Sequence, residues 1–203
     1  MNKVFEAIKN RRSIRSYKPD SIPKDIINSI IEAGNQAPSR GRLEEGSIQF
    51  QPWRFVVVKD PEFRLKLVQT TVPFWKKMIE GMKESQPEMY EDTMTNYEAL
   101  DEPKDVIYYA APVIIFVIGP TDYAVSCALA CENIMIAATS LGLGSCYVGF
   151  GSMVTSNTNV MEALEIKEGE RIYGPIVLGY PENESSTMVG IQQKRKEPKI
   201  KWI

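Results

Sequence analysis

"DYAVSCALACENIMIAATSLGLGSCYVGF", residues 122–150, sets the architecture. From Tyr123 to Ser140 apolar and small residues lie almost all the way round a helical projection. A helix without a continuous polar face is buried in the centre of a domain or in a subunit interface. Asp122 stands where an N-terminal cap would start it. Gly142 follows the last helical residue, where a glycine with positive φ commonly ends a helix. "SCYVG" then reads as a strand. A buried helix feeding directly into a strand implies a sheet with helices packed on it.

Three further strands are legible around that stretch. "WRFVVVKD", 53–60, and "PVIIFVIG", 112–119, are β-branched, unbroken apolar runs, and "YGPIVLGYP", 173–181, is a fourth. Helices are predicted at 3–12, with Val4, Phe5 and Ile8 on one stripe, and from Ser21 or Pro23 to Gly34, with Ile26, Ile27, Ile30 and Ile31 at helical spacing. Others run from Asp60 or Pro61 to about Lys83, with Pro73 as a kink site, and over "NVMEALEI", 159–166. "SIRSY", 13–17, is extended and ended by Pro19. Turn formers and charges make 37–52 a long loop. The acidic stretch 84–103 reads as a lid, a mobile connection or a helix pair. No repeat or linker interrupts the pattern, so the expectation is one α+β domain over residues 1–203 with a C-terminal arm at 192–203.

Composition narrows the chemistry. The chain has 203 residues, a formal net charge of −2 and no histidine. Lack of histidine removes Ser/His/Asp and Cys/His hydrolases, His-ligated zinc sites and the commonest general base. An enzyme of this composition leans on an organic cofactor. The slightly acidic balance argues against nonspecific nucleic-acid binding. Three cysteines, an odd number without a framework, fit a reducing cytoplasm. Apolar runs are interrupted before bilayer length and the N-terminus has no apolar core of a signal peptide, so no membrane association is expected.

Against that acidic background, "IKNRRSIRSY", 8–17, concentrates Lys9, Arg11, Arg12 and Arg15 beside Ser13. One reading is a solvated helix end, where cations meet the C-terminal dipole. The other is a phosphate clamp, since guanidinium forks match phosphate oxygens and strand alternation puts Ser13 and Arg15 on one face. "GLG", 142–144, follows a helix and precedes a strand, the reverse of a dinucleotide fingerprint, and "GFG", 149–151, lacks a third glycine. Cys127 and Cys131 lie one helical turn apart. With no histidine and only Cys146 left to complete a site, they read as buried thiols, and no metal is expected.

"RRSIRSY", "APS" at 37–39, "QPWRFVVV" at 51–58, "GLGSCYVGF" and the basic "KRKEP" at 194–198 with Trp202 span most of the chain. In these motifs and their order the sequence resembles the FMN-dependent nitroreductase family. The resemblance implies a central mixed β-sheet flanked by helices, and a homodimer with two FMN sites at its interface and exchanged C-terminal arms. Arg11, Arg12, Ser13 and Arg15 fall on the motif that holds the phosphate and ribityl end. Pro38 and Ser39 fall on a loop reaching FMN from the other subunit, and Gln51 on an amide position. Gly144, Ser145 and Cys146 fall where backbone groups face the flavin N5 and O4 edge. Lys194 and Arg195, with Lys196 as the adjacent alternative, match C-terminal phosphate contacts. Between "APS" and "QPW" this chain carries "RGRLEEGSIQF", with Gln49 where the family has Asn.

The implied activity is reduction of nitroaromatics, quinones or similar electron-poor acceptors. Flavin N5 takes a hydride from NAD(P)H and passes electrons on, so no catalytic side chain is expected. Dehalogenation, dehydrogenation or flavin fragmentation on the same scaffold are alternatives, as is a flavin-binding protein without turnover.

Overall fold

The computed structural model describes residues 2–44, 47–49, 51–182 and 196–203. In chain order the elements are α1 (Lys3–Asn10), α2 (Lys24–Asn35), β1 (Arg42–Glu44), β2 (Ser47–Gln49), β3 (Arg54–Val58), α3 (Pro61–Glu80), α4 (Pro87–Glu98), β4 (Val113–Pro120), α5 (Ala124–Ser140), β5 (Gly144–Tyr147), α6 (Thr158–Ala163) and β6 (Glu170–Gly179). β3, β4, β6 and β5 form one sheet in that spatial order, and every neighbouring pair is antiparallel.

The unbroken apolar runs follow from covering both faces of that sheet. Val113, Ile115 and Val117 of β4 pack with Ile176 and Leu178 against α2 and α5. Ile114, Phe116 and Ile118 point the other way, with Val177, onto Leu67 and Val72 of α3, Val160 of α6 and the segments around Tyr108 and Val154. Each such side chain contributes roughly 1.5–3 kcal/mol by leaving water. α5 is the buried helix that the central stretch demands: Cys127, Ala130, Cys131, Ile134 and Ala138 are almost fully enclosed. Gly142 adopts φ +77°, as a glycine just past a helix end should. Thr121–Ser140 is long and apolar enough to cross a bilayer by length and composition, and here its inner face packs on the sheet and α2.

Three local expectations are corrected. Asp122 does not cap α5; a 3₁₀ turn, Thr121–Tyr123, precedes the helix, and the Asp122 carboxylate instead pairs with Arg40 at 3.3 Å. The 37–52 loop contains a hairpin pairing Arg42 with Gln49 and Glu44 with Ser47, with strands too short for a period-two pattern to show. The acidic stretch contains one helix, α4, which packs its Tyr97 ring 5.2 Å from Trp75 of α3. Its first residue is Pro87, whose fixed φ suits a helix start.

Candidate functional site

After α1 the chain runs extended along the outer edge of β5. The Ile14 amide donates to the Ser145 carbonyl at 3.0 Å, and Ser13 pairs with Ser145 in a parallel bridge. The resemblance implies a mixed sheet, but the described strands of the central sheet pair only antiparallel, and this isolated bridge is the parallel contact at its edge. Farther on, Tyr17 pairs with Pro181 and Lys18 donates to the Tyr180 carbonyl at 2.9 Å. The approach is close enough to require glycine at 144: an added Cβ would meet three Ile14 side-chain atoms at 2.9 Å. β5 is thus engaged by β6 on one edge and by the N-terminal segment on the other. The Ser145 carbonyl in particular is already taken.

Strand alternation buries Ile14 and leaves Ser13 and Arg15 half-buried beside one another. Arg15 Nη1 reaches the Ser13 carbonyl at 3.4 Å, and its guanidinium carbon lies 5.8 Å from the centre of the Tyr109 ring. Arg12 Nη1 folds back onto the Lys9 and Arg11 carbonyls at 2.5 and 2.8 Å. Arg11 Nε faces Glu132 Oε1 of α5 at 3.6 Å. Burial pushes the Cys146 thiol above its ordinary pKa, against the opposing pull of Arg15, a hydrogen bond with Ser13, and Arg11. Cys146 is therefore a protonated thiol at neutral pH rather than a nucleophile.

The Ser145 hydroxyl is buried and has no hydrogen-bond partner among the described residues. An orphaned buried hydroxyl costs about 1–3 kcal/mol, so a ligand that supplies its partner is favoured here. Three guanidinium groups and the Ser13 hydroxyl have the chemistry to hold a phosphate, and the unsatisfied Ser145 hydroxyl lies on the strand beside them.

Pro38, Ser39 and Gln51 assemble elsewhere. The Gln51 amide donates to Ser39 Oγ at 3.0 Å, and its side-chain Nε2 to the Asn35 carbonyl at 3.2 Å. Next to them the Arg40 amide reaches Ser126 Oγ at 3.4 Å, which puts this group at the N-terminal end of α5. The arginine group lies farther along the same helix, at Glu132, and on β5 beyond its C-terminus. Within one chain the predicted residues therefore form two clusters. Lys194 and Arg195 lie outside the described residues.

Sequence reasoning missed Tyr109 and Glu132, which face Arg15 and Arg11. Nothing in their local sequence singles them out, because their roles arise only from long-range folding. A pocket of about 540 Å³ lined by Lys24, Ile27, Val56, Val58, Phe63 and Leu164 lies along β3. β3 and β5 are opposite edges of the sheet, so this pocket is remote from the arginine cluster.

The model of the nitroreductase family matches residues 8–180. A protein of Archaeoglobus fulgidus, provisionally named NADH dehydrogenase/NAD(P)H nitroreductase, is 31% identical over 185 residues, covering 91% of this chain and 88% of its own. A Bacteroides fragilis nitroreductase solved with bound FMN superposes with a TM-score of 0.66 at 27% identity, covering 100% of both chains. A Desulfitobacterium hafniense nitroreductase shares the fold, with a TM-score of 0.72 at 23% identity over 100% of this chain and 99% of that one. On the family match and the Archaeoglobus relative, with the fold in agreement, this chain belongs to the nitroreductase family.

Proposed function

We propose that the chain is an FMN-dependent oxidoreductase that uses NAD(P)H to reduce nitroaromatics, quinones or similar electron-poor acceptors, working as a cytoplasmic homodimer. The observation that carries this reading is the convergence of Arg11, Arg12, Ser13 and Arg15 on β5 beside the unpartnered Ser145 hydroxyl. The bound FMN of the Bacteroides relative is a molecule of the class that such a cradle fits.

When bound, FMN supplies two-electron hydride chemistry that no side chain of this protein can provide. The protein's part is to hold and orient it. The three arginines neutralise the phosphate, and the Ser13 hydroxyl adds a donor at that end. Gly144 admits close approach of the N-terminal segment, and the Ser145 hydroxyl offers the polar group not spent on internal pairing. Cys146, kept as a thiol, contributes bulk without charge. Lys194 and Arg195 extend the basic set from the C-terminal arm.

Pro38, Ser39 and Gln51 belong to the same site only if a second copy supplies them. Two features support a dimer. Val4, Phe5 and Ile8 of α1 are exposed at 61, 62 and 48%, and Val125 and Leu129 are exposed on α5, the helix against which α1 packs. Exposed apolar side chains on two packed helices suit a subunit interface. Ile200, Trp202 and Ile203 at the end of the tail are also exposed, while no described strand pairs with the outer edge of β3. An arm that crosses to a partner would cover apolar surface of this kind. Residues 1–203 then form one domain, with 84–103 near substrate entry and 192–203 as the exchanged arm.

The test is a visible spectrum of the purified protein, followed by titration with FMN and assays of NADH and NADPH oxidation with a nitroaromatic and a quinone. A protein that neither shows nor gains flavin absorbance and oxidises neither nicotinamide ends the proposal. Tight FMN binding without reduction by either nicotinamide would point instead to a binding role.

A further inference from the structure

We propose that Tyr109 is a positioning residue for Arg15, and that Asp105 holds Tyr109 in place; the inference rests on Arg15 belonging to the anion clamp. The segment 105–111 joins the end of the acidic stretch to β4. Asp105 organises it. One carboxylate oxygen accepts the Ile107 and Tyr108 amides at 3.0 and 2.7 Å, and the other accepts the Ala110 amide at 3.0 Å. Around this carboxylate Tyr109 and Ala110 adopt φ of 56° and 51°.

Left-handed backbone at a bulky aromatic is rare and persists only where its surroundings over-determine it. Here they do. The Tyr108 hydroxyl donates to the Gly151 carbonyl at 3.0 Å, the Ala111 amide to the Tyr108 carbonyl at 3.0 Å, and Arg64 Nη1 to the Ala111 carbonyl at 2.9 Å. The two tyrosines consequently part. Tyr108 enters the core, and Tyr109 presents its ring to the Arg15 guanidinium at 5.8 Å, inside the range for a cation–π contact.

Apart from Tyr109, the Arg15 guanidinium meets only the Ser13 carbonyl, through Nη1 at 3.4 Å, among the described residues. An arginine resting on a ring loses less freedom when an anion arrives than one that must first be ordered. Tyr109 therefore prepares the clamp without needing to touch the anion.

The experiment compares Tyr109→Leu, Tyr109→Phe and Asp105→Asn in the intact protein. In the flavin-free protein, the Arg15 Nε–H proton resonance, assigned by its loss in Arg15→Lys, should move when Tyr109→Leu removes the ring current. Tyr109→Phe should retain its position. Asp105→Asn, which withdraws the acceptor for the Ala110 amide, should shift the resonance in the same direction as Tyr109→Leu. With ligands, Tyr109→Leu should weaken FMN about tenfold and riboflavin under about twofold, with Phe restoring FMN affinity.

An Arg15 resonance indifferent to Tyr109→Leu overturns the inference. So does equal loss of both ligands, or a Phe variant no better than Leu. If the parent protein binds neither flavin, the cofactor reading fails, and the resonance comparison still decides whether Tyr109 positions Arg15.

Discussion

Ile14 and Ser145 are joined by a 3.0 Å amide-to-carbonyl hydrogen bond, and this pairing seats the arginine-rich segment on the strand that follows the central helix. Ordinary strand addition thereby brings together residues far apart in the chain. The local surplus of cations is thus carried onto the strand that holds a buried, unsatisfied hydroxyl.

The first prediction concerns which arginine matters most. Arg15→Ala should weaken FMN about ten- to a hundredfold and leave riboflavin nearly unchanged, because the lost hydrogen bonds are to charged phosphate. Arg11→Ala should cost less, since Arg11 must first leave Glu132 at 3.6 Å. Fluorescence titrations of both ligands at fixed salt check this. The reverse ranking would show that Arg11 carries the phosphate.

Gly144→Ala should unseat the N-terminal segment. The new methyl would meet Ile14 at 2.9 Å, and overpacking of this kind costs about 1–3 kcal/mol. Urea denaturation should show the loss, and flavin affinity should fall with it. Unchanged stability would mean that Ile14 is less firmly seated than its backbone bond implies.

Ser145→Ala should act in opposite directions on the two states. Without flavin it removes a buried polar group that has no partner, so stability should hold or rise by about 1 kcal/mol. With flavin, affinity should drop. Thermal melts with and without FMN would separate the effects, and a variant weakened equally in both conditions would assign Ser145 a purely internal role.

The cysteines of α5 give a pH signature. Burial pushes Cys127 up to about 11 and Cys131 up to about 12. Because both values are raised in the folded protein, their contribution to stability is full below the ordinary thiol pKa and is lost as pH rises through those values. A loss of roughly 1–2 kcal/mol per thiol is expected at about pH 10 relative to about pH 8. Urea midpoints should show it, with a smaller fall in the Cys127→Ala, Cys131→Ala double variant. Equal falls would exclude the thiols as the cause.

The sheet was legible in the sequence because it is covered on both faces. Val113 through Ile118 had to be apolar at consecutive positions, and the buried side of α5 left few positions for charge. The arginine cluster was legible because it stood out against an acidic chain. Tyr109 was not, because its conformation depends on three amides gathered by Asp105 and on contacts from α3 and from Gly151. The Asp122 partner was equally hidden: a carboxylate in capping position found Arg40, far away in sequence. Splitting Pro38, Ser39 and Gln51 from Arg15 required knowing where each lies along α5, which motif order alone does not supply.

The outer side of β3 also bears on the fate of the chain in the cell. Among the described residues no strand pairs with the outer side of Arg54–Val58, and Val56, Val57 and Val58 line an adjoining hollow. Unprotected edges of this kind template aggregation. If the proposed C-terminal arm covers this edge, a version truncated before Lys196 should form higher assemblies sooner than the 203-residue chain, as light scattering at matched concentration would show.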